Sequence, residues 1–131
     1  MIFITLPVTD MPRARAFYEA LGFSINPDFS SETSACVVVS ETIYFMLSTH
    51  DQFRQISVKP LVLPKDGASA TFALSCDSRA EVDAMTEAAI AAGGRSLHEA
   101  EDLGFMYSRA FEDPDGNGFG PFWMDPAASN G

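Results

Sequence analysis

Positive charge is what this chain has least of. Eight Lys and Arg stand against eighteen Asp and Glu, a formal net charge of −10 over 131 residues. Proteins that hold nucleic acid need a basic footprint, so nucleic-acid binding is excluded. Long apolar runs are also missing. No stretch approaches the roughly 20 residues that cross a bilayer, and no membrane role is expected. The opening MIFITLPVTD carries no basic segment and reads as a strand rather than a leader, so a cytoplasmic location is expected. Cysteine is scarce. Cys36 and Cys76 lie in apolar, strand-like runs without metal-type spacing and read as buried free thiols. Histidine occurs twice, His50 in a connector and His98 near a loop, and both read as surface imidazoles. The acidic excess serves solubility and also permits a cationic ligand drawn in by the field.

What is present suits one soluble domain. Apolar residues at 47% and charged residues at 20% allow a real core. In residues 2–8 alternation puts Ile4, Leu6 and Val8 on one face of a strand and Phe3, Thr5 and Pro7 on the other. Thr9 or Asp10 caps a helix predicted over 11–21, with Pro12 in its first turn and Gly22 as its stop. Strands are predicted over 23–26, 35–39 and 43–48. Residues 49–67 connect, with a helical turn or two over 51–57. The order then restarts. A strand over 69–76 leads to Ser78, whose capping-box partner is Glu81, and to a helix over 78–92. Strands over 95–98, 105–112 and 119–124 follow. An acidic loop of Glu99, Glu101 and Asp102 precedes the second of these, and a type I turn at Asp113-Pro114-Asp115-Gly116 precedes the third. Strand-helix-strand-strand-strand thus occurs twice, offset by about 68 residues. Phe3 lies seven residues before Asp10, and Thr71 lies seven before Ser78.

The doubled order, LPVTDMPRARAFYEALGF near the start and FEDPDGN near the end together resemble the vicinal oxygen chelate superfamily. That group holds the glyoxalases, including lactoylglutathione lyases, with the bleomycin-resistance proteins and the extradiol dioxygenases. The similarity runs to about residue 125. It implies an α+β fold of two βαβββ modules forming a curved mixed-sheet cleft. Module one covers about 1–48, the connector 49–67, module two about 68–125 and a tail 126–131, all in a single domain spanning 1–131. It also implies, for the metalloenzymes, one divalent ion held by His or Glu on the first strand and Glu on the last strand of each module. Position by position, these fall on Phe3, on Thr71 (or Ala70), on Tyr44 to Met46 and on Gly120. Three of the four lack a credible ligand, Tyr44 is a poor one, and a divalent ion needs about three imidazole, thiolate or carboxylate groups. No metal and no cofactor are expected.

By alternation the cleft-facing residues are Phe3, Thr5, Tyr44, Met46, Thr71, Ala73, Ser75, Tyr107, Arg109, Phe111, Gly120, Phe122 and Met124. Trp123 falls on the helix side. A one-residue slip exchanges the faces of any strand. Three readings stay open. The first is a metal-independent small-molecule-binding protein of the bleomycin-resistance type. It takes an amphipathic organic ligand on Phe3, Thr5, Tyr44, Met46, Thr71, Ala73, Tyr107, Arg109, Gly120 and Phe122, with Arg109 as polar anchor or salt-bridged to an acid such as Glu112 or Asp113. The second is a glyoxalase-like lyase or isomerase, or a dioxygenase-related enzyme, with a relocated metal or none. It needs a general base, with Glu41, Glu112 or Asp125 turned inward, and no catalytic residue is identified. A cleft closed by its own side chains, leaving a scaffold, is a third. A homodimer is expected, since short modules leave sheet edges that a partner can cover.

Overall fold

The computed structural model describes residues 1–128. The chain divides into two compact units, Met1–Gly67 and Ala68–Gly131.

The first unit carries β1 (Ile2–Val8), α1 (Met11–Ala20), β2 (Ser24–Asn26), β3 (Ser34–Val38), β4 (Ile43–Thr49) and α2 (His50–Ile56). Its sheet runs β1-β4-β3-β2, with β1 parallel to β4 and the other pairs antiparallel. α1 starts where the sequence places it. The Asp10 carboxylate accepts from Arg13 N at 3.0 Å, satisfying one of the N–H groups that the first turn leaves without a partner. It ends at Gly22, whose φ of 99° suits a residue without Cβ. Met11, Ala14, Phe17 and Tyr18 line its buried face, and Tyr18 meets Phe45 with ring centroids 6.3 Å apart. Leu6, Val8, Val37 and Leu47 complete the core. Alternation therefore sends Phe3, Thr5, Tyr44 and Met46 to the face that α1 does not cover.

The second unit repeats the order with β5 (Phe72–Ser75), α3 (Arg79–Ala91), β6 (Arg95–Asp102), β7 (Met106–Glu112) and β8 (Gly118–Met124). Its sheet runs β5-β8-β7-β6, again with one parallel pair, β5 with β8. Ser78 Oγ accepts from Glu81 N at 3.1 Å, and the Glu81 carboxylate reaches back to Asp77 N at 2.6 Å, a capping box shifted by one residue. The turn between β7 and β8 closes with Gly116 N donating to Asp113 O at 3.0 Å. The buried Asp113 carboxylate organises it, accepting from Asp115 N, Asn117 N and Asn117 Nδ2 at 2.8–3.0 Å. Phe111 stacks on Phe119, and Phe119 meets Phe72, beneath Val82, Thr86 and Ala89 of α3.

Two βαβββ units in an α+β fold are as the sequence predicts, and α2 occupies the helical part of the connector. Two boundaries differ most. β5 begins at Phe72 rather than at residue 69. β6 continues to Asp102, so Glu99, Glu101 and Asp102 lie on a strand and not in a loop. All eight β6 residues are exposed and its register with β7 shifts twice, between Ser96 and His98 and between His98 and Glu101. Bulges break the alternation that sequence reading relies on, and a fully exposed edge gives no burial signal. Of the tail placed at 126–131, residues 129–131 lie outside the described residues.

Candidate functional site

The two faces of the second sheet have different chemistry, and hydrogen bonds fix which is which. Arg109 on β7 donates through Nη1 to Asp83 Oδ1 at 3.2 Å and to Glu87 Oε1 at 2.9 Å, both on α3. Tyr107 OH donates to Asp83 Oδ1 at 2.7 Å. The Arg79 guanidinium lies 5.3 Å from the Tyr107 ring centre and 5.1 Å from that of Trp123. Tyr107, Arg109, Phe111, Phe119 and Trp123 therefore face α3, as alternation gives for Trp123.

This corrects the orientation expected for β7. Tyr107, Arg109 and Phe111 do not share a face with Gly120 and Phe122. They are one residue out of phase, and Met106, Ser108 and Ala110 take the open face instead. The cause is a long-range pairing. Asp83 and Glu87 stand one turn apart on α3 and draw the guanidinium to the helix side, and Phe111 enters the core against Phe119. The spacing of those two acids beside Val82 and Thr86 was the signal in the sequence that could have set the phase. Arg109 is the bridge to an acid that the sequence left open, but the acids are Asp83 and Glu87, not Asp113. Glu112 pairs with Arg95 at 2.9 Å. Burial tends to lower the Arg109 pKa, and the hydrogen bonds to Glu87 and Asp83 outweigh it and raise it. The Tyr107 hydroxyl is raised chiefly by its bond to Asp83, then by burial.

The helix-free face of the second sheet holds a cavity of about 570 Å³. Gly118 and Gly120 of β8 form its floor. Ala73, Met106, Ala110 and Phe122 are its apolar walls, and Thr71 and Ser108 supply hydroxyls. Leu97, His98 and Glu101 of the bulged β6 close one side. His98 Nδ1 lies 2.7 Å from Glu99 O. The sequence placed Thr71, Ala73, Gly120 and Phe122 here and missed Met106, Ser108, Ala110, Gly118, His98 and Glu101. A larger hollow of about 850 Å³ lies on the helix side of β6, but its Asp83, Glu87 and Arg109 already satisfy one another. On the first sheet, Phe3 stacks on Tyr44 with centroids 4.7 Å apart, Thr5 stands opposite Met46, and Tyr44 OH donates to Glu41 O at 2.9 Å.

A family model, the Glyoxalase/Bleomycin resistance protein/Dioxygenase superfamily, matches residues 2–120. The chain belongs to this superfamily. Solved structures similar to it share the fold. A hypothetical protein from S. aureus aligns with a TM-score of 0.80 and 24% identity, over 95% of this chain and 93% of that one. A glyoxalase-related enzyme from Fulvimarina pelagi gives 0.79 and 22%, over 94% and 86%. A glyoxalase/bleomycin resistance protein/dioxygenase family enzyme from Burkholderia phytofirmans gives 0.75 and 19%, over 93% and 96%. No curated protein matches the chain.

The divalent ion that the resemblance implies does not fit the residues found at its positions. The Phe3 ring is stacked on Tyr44, whose hydroxyl is spent on a main-chain carbonyl. The Thr71 methyl lies 3.6 Å from where a Cβ on Gly118 would stand, and Gly120 has no side chain. Among the described residues no group of three or more His, Cys, Asp or Glu side chains converges as a metal site.

Proposed function

We propose that this superfamily member is a metal-independent binding protein that holds an amphipathic organic molecule on the helix-free face of its second sheet. One observation carries the reading. A cavity of about 570 Å³ there has apolar walls, a glycine floor and a few hydroxyls, and Arg109, which also lines it, commits its guanidinium to Asp83 and Glu87 on α3. Cavities of roughly 300–1,000 Å³ with this lining hold small organic ligands by burial and orient them by a few polar groups. The Arg109 guanidinium belongs to the opposite face, so anionic ligands are disfavoured. Neutral and cationic ones suit the site and the chain's charge of −10.

The test is a thermal-shift screen of neutral, cationic and anionic aromatic compounds, read beside Phe122→Ala and Gly120→Leu. A ligand at about 100 times its dissociation constant adds roughly 2.7 kcal/mol, which is several degrees in a domain of this size. Both variants should abolish the shift. A shift that survives both, or one confined to anions, would overturn the reading. A stoichiometric metal found by elemental analysis after dialysis would overturn its metal independence. A homodimer is part of the proposal, supported by the exposed apolar residues Ile2, Phe3 and Ile43 of the first unit.

A glyoxalase-like lyase or isomerase is the second reading, and one observation favours it. Glu101 and His98 line the same cavity, and a carboxylate and an imidazole there are candidates for general acid–base work. Turnover of a carbonyl substrate that Glu101→Gln removes while ligand-induced stabilisation persists would favour it over pure binding.

A further inference from the structure

The floor of the cavity contains a main-chain acceptor whose sheet partner is missing. Pro121 sits in β8, which lies between β5 and β7, so both of its edges are paired. β7 and β8 pair at Ser108–Phe122 and again at Phe111–Phe119 in one unbroken register, but the ladder skips the two positions between them. That spacing sets Arg109 opposite Pro121 and Ala110 opposite Gly120. The direction of the missing bond follows from the neighbouring residue. Cys76 N donates to Phe122 O at 2.7 Å, so the Phe122 main chain points toward β5. Main-chain groups alternate along a strand, so those of Pro121 point toward β7. The nitrogen that would donate to the Arg109 carbonyl is therefore a proline nitrogen, which carries no hydrogen.

Gly120 lies next to this carbonyl. A Cβ on Gly120 would stand 3.7 Å from Arg109 O, with no other heavy atom within 4 Å. With glycine there, nothing from that position shields the oxygen from the cavity. A carbonyl that has lost its ladder donor gains from a donor brought to it.

We propose that the Arg109 carbonyl is the polar anchor of the cavity, and that the ligand is an aromatic ring with an N–H donor, entering edge-on above Gly118 and Gly120. The glycines let the edge of the ring reach the strand, Phe122 and Met106 flank it, and its in-plane N–H supplies the donor that Pro121 lacks. This rests on the binding reading above and adds a ligand class to it. Arg109 is thus an anchor through its main chain, with its side chain committed to α3.

The experiment titrates the intact protein with indole and with 1-methylindole, following the amide resonances of Gly118 and Gly120 and the Arg109 carbonyl carbon. Indole should bind about five- to tenfold more tightly, the value of one hydrogen bond, and should alone move the Arg109 carbonyl. Pro121→Ala restores the ladder N–H and should equalise the two probes. Because Pro121 is fully buried and its replacement can unfold the unit, Gly120→Ala serves as the second variant. Its methyl meets only ordinary contacts, covers the oxygen and should also remove the preference for indole. Equal binding of both probes to the unmodified protein, or a preference that survives Gly120→Ala, would overturn the anchor and leave the cavity reading standing. Binding of neither probe at millimolar concentration would overturn both.

Discussion

Arg109 shows how one side chain fixes the chemistry of two faces. Its side chain is 18% exposed and bridges Asp83 and Glu87, whose own side chains are 48% and 65% exposed. Water screens the acids, so the bridge is worth less than its distances suggest. Arg109→Met should cost about 1–2 kcal/mol of stability in urea unfolding while leaving indole binding unchanged. Loss of binding would show that the guanidinium serves the cavity after all. A second cation, Arg79, bonds to Asp102 at 2.6 Å and to Gly104 O at 2.8 Å while lying over Trp123, the only tryptophan of the chain. The Arg79 hydrogen bond, then the Gly104 N–H, holds Asp102 below the usual carboxylate range. A depressed folded pKa means that the contribution is present above the unfolded value of about 3.9 and is lost as pH falls through the folded one. Trp123 emission should therefore change in an acid step below pH 4, and Asp102→Asn should remove that step. The sequence reading assigned none of these ion pairs, although the spacing of Asp83 and Glu87 hinted at the first. Each ion pair joins residues more than twenty positions apart, and alternation carries no information about which helix a strand residue will meet.

At the scale of elements the sequence was far more readable, because caps and turns are local. Asp10, Ser78 and the Asp113–Gly116 turn each act within a few residues of themselves. β1, β4, β5 and β8 kept their expected faces. β7 did not, since MYSRAFE sets an amphipathic Tyr and Arg in phase with the core Phe111, and either phase looks plausible until α3 is in place. β6 was cut short for a different reason, its bulges and full exposure. The turn gives a prediction of its own. Asp113→Ala leaves three N–H donors without their buried acceptor and should cost about 2–3 kcal/mol, seen as a lower urea midpoint. Asp113→Asn keeps an acceptor oxygen and should recover part of that loss.

For the whole molecule, duplication was the most legible feature, and the superfamily assignment follows from it. What the sequence left open is the ligand, and the proposed anchor is a main-chain atom, which no residue type announces. The proposed homodimer should sediment at twice 14.2 kDa at micromolar concentration, and a monomer there would refute it. The two units also order events in time. Each sheet draws all its strands from one uninterrupted stretch, so every partner that the first unit needs has been synthesised by residue 67. Its parallel β1–β4 pairing waits only for residues 43–49. We expect the first unit to become protease-resistant on the ribosome while β5 to β8 are still being made. Limited proteolysis of chains stalled with residue 67 clear of the exit tunnel would measure this, and complete digestion would show that folding waits for the second half.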